Sequence, residues 1–170
     1  MTAGFGIEPT IGELVEHLRS RFYGKYRGTV TDVDASTMRV RADVASLGPV
    51  TLGWATACVP YAGPQVGFTM LPEVGSGVWI EFEGGDLSYP VWVGCYWRDG
   101  EYPSATAEKK AIFTASGTFA MDDQASSLSL EDKNGNKLVV DSSGVLAQGS
   151  AGKVAVGATV SVNDGALEVS

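Results

Sequence analysis

Leu130, Leu138, Leu146, Val154 and Val162 stand at a strict eight-residue interval, and Gly149, Gly157 and Gly165 keep the same step. In extended chain side chains alternate faces, so an even period puts every member of the series on one face. On an α-helix eight residues overrun two turns by about 80°, and the stripe would wind away. Leu146-Ala-Gln-Gly149, Val154-Ala-Val-Gly157 and Val162-Asn-Asp-Gly165 each read as a short strand followed by a corner that glycine turns cheaply. The five aliphatic residues are the predicted internal column, and the three glycines its corners.

From Ala120 to Ser170 there is no aromatic residue, no proline and no arginine. One copy therefore holds only small aliphatic side chains with which to build a core, and narrow repeat units must stack or associate to bury an apolar column. Single-chain solenoids use units of roughly 20 residues, longer than the step here. The expectation is several identical chains wound together, three being the natural number.

All seven prolines, four tryptophans and six tyrosines of the 170 residues lie at or before Pro103. An aromatic-rich globular part thus gives way to an aliphatic repetitive one, with the boundary expected near Glu101 to Lys110. The net charge of −8 argues against nucleic acid as a ligand, because binding to its backbone works by neutralising phosphates. No apolar run reaches 18 residues, and no basic segment leads into an apolar core at the N-terminus, so the expectation is neither a membrane span nor a signal peptide. Cys58 and Cys95 are too far apart for a metal knuckle and read as buried thiols. His17, the one histidine, has no triad or metal partner nearby in sequence.

Thr10-Ile-Gly-Glu13 has capping-box spacing, and Ile11, Leu14, Val15, Leu18 and Phe22 form one apolar face, which predicts a helix over about 11–22 after a loose arm. Alternation then predicts strands through Tyr26 to Val33 and Met38 to Val44, followed by extended runs at Val50–Tyr61, Val66–Leu71, Gly77–Glu83 and Pro90–Trp97. Gly63-Pro64, Pro72 and Gly84-Gly85-Asp86 supply the turns. Five or six short strands in about 75 residues fit a small closed barrel, the oligonucleotide/oligosaccharide-binding (OB) barrel being the common one of that size. Alternation resumes after Lys110 and turns at Lys133-Asn-Gly-Asn136.

Phe22-Tyr-Gly-Lys-Tyr-Arg-Gly-Thr-Val30, Cys58-Val-Pro-Tyr-Ala-Gly63, Gly67-Phe-Thr-Met-Leu-Pro-Glu-Val-Gly75, Gly77-Val-Trp-Ile-Glu-Phe-Glu-Gly-Gly-Asp86 and Pro90-Val-Trp-Val-Gly-Cys-Tyr-Trp97 resemble the OB domain of contractile-tail central spikes, the phage baseplate assembly protein V and VgrG-type proteins. The resemblance covers residues 22–100, and family members carry a trimeric triple-stranded β-helix after the barrel. It implies an all-β chain with an N-terminal arm and helix (1–23), an OB domain (24–100), a linker (101–110) and a β-helix needle (111–170). The implied function is a homotrimeric spike in the baseplate of a phage or phage-like particle, made and assembled in the bacterial cytoplasm. Its OB end would dock on a tail hub protein, and its needle would contact the target membrane transiently during sheath contraction. The ten linker residues leave no room for the lysozyme domain of larger members, and the end Val162-Asn-Asp-Gly-Ala-Leu-Glu-Val-Ser170 lacks the His-x-His of metal-tipped spikes. A separate PAAR-like tip protein is the expected cap, with no cofactor and no catalytic residue.

Two rival chemistries are weighed against this. Tyr89, Trp79, Trp92, Tyr96 and Trp97 could form a stacking platform for single-stranded nucleic acid or sugar, but Glu81, Glu83 and Asp86 stand among them and no basic stripe does. Glu73, Glu81, Glu83 and Asp86 could supply a carboxylate pair for glycoside hydrolysis, yet no orienting group converges on them in sequence. Asp122-Asp123 and Glu131-Asp132 lack calcium-loop spacing.

Overall fold

The computed structural model describes residues 11–16, 20–103 and 106–169. The chain divides into two compact units, 1–101 and 102–170.

The first unit contains β1 (Tyr26–Asp34), β2 (Arg39–Asp43), β3 (Thr56–Ala57), β4 (Ala62–Gly63), β5 (Val66–Gly67), β6 (Gly77–Phe82) and β7 (Pro90–Tyr96). Five of these form one sheet in the order β2-β1-β6-β7-β3, all pairs antiparallel except β3 with β7. The sheet curls until its two edges meet: Ala55, beside β3, exchanges both backbone hydrogen bonds with Val40 of β2 at 2.8 and 3.3 Å. Closure leaves little open edge on which other chains could pair. A bulge between β6 and β7, next to Gly94 at φ 146, helps bend the wall.

Alternation on β1, β2 and β6 sends Val30, Val40, Ala42, Val78, Ile80 and Phe82 inward, where Val44, Leu52, Ala55 and Trp92 complete the core. Trp92 satisfies its indole N–H by donating to the Met38 carbonyl at 3.2 Å. Gly77 is required by a close approach: a Cβ there would lie 2.8 Å from the Tyr96 carbonyl oxygen and 2.9 Å from its ring.

Several local expectations change. Residues 11–16 are helical, and His17, Leu18 and Arg19 lie outside the described residues. The predicted helix does not reach 22: the Phe22 N–H bonds the Gly85 carbonyl at 2.8 Å, and the Phe22 ring sits edge-on to Phe82 at 6.2 Å. The pull of that aromatic contact, shared by Tyr26, outweighs continuation of an amphipathic helix. The runs expected at Val50–Tyr61 and Val66–Leu71 shorten to two-residue strands, and residues 61–70 are all exposed. Cys58 and Cys95 are exposed rather than buried, because each falls at the margin of the closed wall. Desolvation of the Cys95 sulfur by its neighbours, then the Glu73 charge, pushes this thiol above its ordinary value, which argues against a ready thiolate there despite the exposure of the residue.

The second unit is a single sheet of eight antiparallel strands joined only between sequence neighbours: β8 (Lys109–Phe113), β9 (Gly117–Asp122), β10 (Ser127–Asp132), β11 (Lys137–Asp141), β12 (Gly144–Gln148), β13 (Lys153–Val156), β14 (Val160–Val162) and β15 (Leu167–Val169). Every one of these strands finds ladder partners in its own chain, through turns short enough to make hairpins cheap. Side chains lace the turns along one margin. The Asn136 amide oxygen accepts from the Ser150 N–H at 3.1 Å, and that of Asn163 from the Lys153 N–H at 2.8 Å. Asp132 accepts from the Asn136 side chain at 2.7 Å and from the backbone N–H groups of Asn134 and Asn136. These bonds, the Asn136 amide foremost, hold its carboxyl below the usual aspartate range. A depressed folded pKa means that this stabilisation is complete above the unfolded value and is lost as pH falls through the folded one.

Because all four tryptophans lie in the first unit, their fluorescence reports barrel unfolding separately from the sheet. Ile80→Ala, at a fully buried position, should destabilise the barrel by about 2–5 kcal/mol and lower its urea midpoint. An unchanged midpoint would contradict the core assigned here.

Candidate functional site

The ladder registers of the second unit put two apolar rows on one face. One runs through Met121, Leu128, Val140, Val145, Val156 and Val160, each directly opposite the next. The other runs Ile112, Phe119, Leu130, Leu138, Ala147, Val154, Val162 and Leu167. At about 4.8 Å between strands, the stripe is roughly 34 Å long. The opposite face carries mostly small residues along its middle row, with one aliphatic pair: Ala111, Ala120, Ser129, Val139, Leu146, Ala155 and Ser161.

Exposure separates the two faces. Eleven large apolar side chains of the stripe are 39–59% exposed, whereas the one fully buried apolar residue among those described in this unit is Ala120, on the other face. A lone sheet has no second layer, and contiguous apolar surface of this extent marks a place where another surface belongs. Covering a half-exposed aliphatic side chain is worth about 1 kcal/mol, so the stripe of one chain represents on the order of 10 kcal/mol. The stripe is also graded: Ile, Phe and Met on β8 and β9, leucines on β10, Leu138 and Val140 on β11, then valine and alanine on β12 to β14.

Of the five residues in the period-eight column, Leu130, Leu138, Val154 and Val162 share the stripe, while Leu146 lies on the opposite face, paired with Val139 and Ala155. An even step keeps its face only along uninterrupted strand or across an odd-numbered link. The links 132–136 and 157–159 are odd, but 142–143 and 149–152 are even, so the chain changes parity before Leu146 and again after it. Gly149, Gly157 and Gly165 occupy the turns between strands, and Gly165 alone of the three takes a positive φ, 98°. The second row, from Met121 to Val160, escaped the period-eight reading. Its signal was present as two apolar residues per strand, legible only once the turn lengths are known.

The residues of the rival chemistries are dispersed or engaged. Trp92 is buried in the barrel core, and Trp79 packs against Tyr96 with ring centroids 5.1 Å apart and planes tilted by 51°, the Arg27 guanidinium lying about 5 Å from both rings. Glu81 pairs with Lys25 at 2.8 Å, and Asp86 with Arg21 at 3.6 Å. Asp123 is bound by Lys110, and Asp132 is engaged in its own turn. Among the described residues no group of three His, Cys, Asp or Glu side chains is placed to hold a metal ion.

Residues 26–97 match the family model of the type VI secretion system/phage-baseplate injector OB domain, and residues 111–168 match that of the phage baseplate V C-terminal trimerisation domain. The chain belongs to the phage baseplate V family. Among curated proteins none matches it. Its two matched segments fall one in each structural unit, and the trimerisation model covers the sheet with the apolar stripe. A baseplate V chain has a structural role in the baseplate or spike of such a particle.

The two faces make opposite predictions. Val154→Asp should remove the assembled state, since a buried unpaired carboxylate costs several kcal/mol per copy. Leu146→Asp, outside the stripe, should leave it largely intact. Elution volumes on gel filtration distinguish the pair, and equal behaviour of the two variants would contradict the face assignment.

Proposed function

We propose that this chain is the homotrimeric central spike of a contractile injection particle, in which three copies of the eight-stranded sheet turn their stripes inward around a common axis. The single observation that carries this reading is the continuous apolar stripe on an otherwise unlayered sheet. Three such faces meeting at an axis form a three-sided prism, with each chain keeping its own ladder rather than being wound strand by strand with the others. Triple-stranded β-helix is thus the right name for the assembly only in its three-fold, β-walled sense. The decline from Phe, Met and Leu to Val and Ala supports a shaft that narrows from β8 toward β14.

In this reading the protein is not an enzyme. It acts as a stiff rod that transmits the force of sheath contraction to a target envelope. The barrels seat against the tail hub. Residues 59–71, a charge-free segment exposing Tyr61, Val66, Phe68 and Met70, support an apolar protein contact there. A tip protein of the PAAR-like kind caps the C-terminal end.

The test is complementation of a particle-producing strain from which the chain has been deleted. Wild-type chain should restore contractile particles with complete baseplates by electron microscopy, and Val154→Asp should not. Normal, target-killing particles formed without the chain would overturn the proposal.

A further inference from the structure

We infer that β11 closes a ring of three intersubunit ion pairs, with Lys137 of each copy against Asp141 of the next. This deepens the trimer reading above and rests on it.

Lys137 opens β11 and Asp141 ends it. Four residues apart in a strand, they point to the same side, opposite Leu138 and Val140 of the stripe. With the stripes inward, both charges stand on the outer wall, one at each lateral margin of the sheet. About 14 Å of strand separates them, so they cannot pair within one chain.

A closed three-fold ring uses head-to-tail contacts, in which one margin of each sheet meets the other margin of the next. The same rotation relates every copy, so the lateral neighbour of β11 is the next copy's β11, and its lysine end faces an aspartate end. A lysine side chain is long enough to absorb the offset of about one strand spacing, roughly 4.8 Å, that strand tilt introduces.

Charge placement selects this strand. Lys110 and Lys153 are taken up by Asp123 and Asp164 of their own chain, whereas Lys137 forms no ion pair among the described residues, even though Glu131 stands opposite it in the ladder. Asp141 accepts a single hydrogen bond, from the Ser143 N–H at 2.7 Å, which leaves acceptor capacity on its carboxylate. Among the described strands of this unit, β11 alone carries opposite charges at the two ends of the outward face. An exposed pair contributes little by itself, but the symmetry repeats it three times and fixes which margins adjoin.

Lys137→Glu and Asp141→Lys in the full chain each place like charges together three times per trimer. Each should lower the urea midpoint of trimer dissociation, more at low salt than at high salt, and the double exchange should restore it. In a chain whose Cys58 and Cys95 are replaced by serine, Lys137→Cys with Asp141→Cys should give, with a short bis-maleimide crosslinker that spans the lysine's reach, a denaturant-resistant species of about three times 17.8 kDa. Neither single cysteine should do so. A wild-type trimer with no rescue by the double exchange and no covalent species from the cysteine pair overturns the ring while leaving the trimer standing. A wild-type chain that is not trimeric overturns both.

Discussion

The architecture of the second unit depends on one imbalance: its backbone is satisfied within the chain and its side chains are not. Eight strands pair in sequence order, so the ladder needs no partner except at its outer edges. The apolar rows on one face have no layer against them. Hydrogen bonds contribute little net stability per residue, and hydrophobic burial is the larger favourable contribution to folding. A sheet of this kind is therefore a template waiting for a second surface. In the proposed trimer that surface is supplied by two more copies of itself.

The barrel solves the same problem differently. Its sheet curls and closes through Ala55 and Val40, so one chain covers its own apolar face with Val30, Ile80, Phe82 and Trp92. What it leaves outside is local: the exposed residues 61–70 and scattered side chains such as Tyr89, while Trp79 under Arg27 and Trp54 under Arg41 are half-covered. A self-sufficient barrel and a sheet that needs partners, carried on one chain, suit a part that must fold before assembly and become rigid on it.

Much of this was legible in the residues. Alternation located β1, β2, β6 and β7 to within a few positions, and the loss of aromatics after Pro103 signalled a change of architecture. The period of eight pointed to a repetitive β structure, and four of its five members do share a face. Leu146 does not, because face is decided by the parity of the turns, and turns such as Ser142-Ser143 and Gly149 to Gly152 carry no strict length signal. The helix boundary failed for a related reason: Phe22 obeys the apolar period locally, but a distant aromatic, Phe82, holds it outside a helix. Burial of the cysteines was misread because both lie in apolar sequence, and only closure of the wall fixes which apolar positions face inward.

The most direct measurement is native mass spectrometry of the unmodified full-length chain across a wide concentration range. The predicted result is a single species at about three times 17.8 kDa that persists on dilution, because covering three stripes is worth far more than a weak contact. A folded monomer at 17.8 kDa, with the second unit still protected from proteolysis, would contradict the claim that the stripe requires other copies.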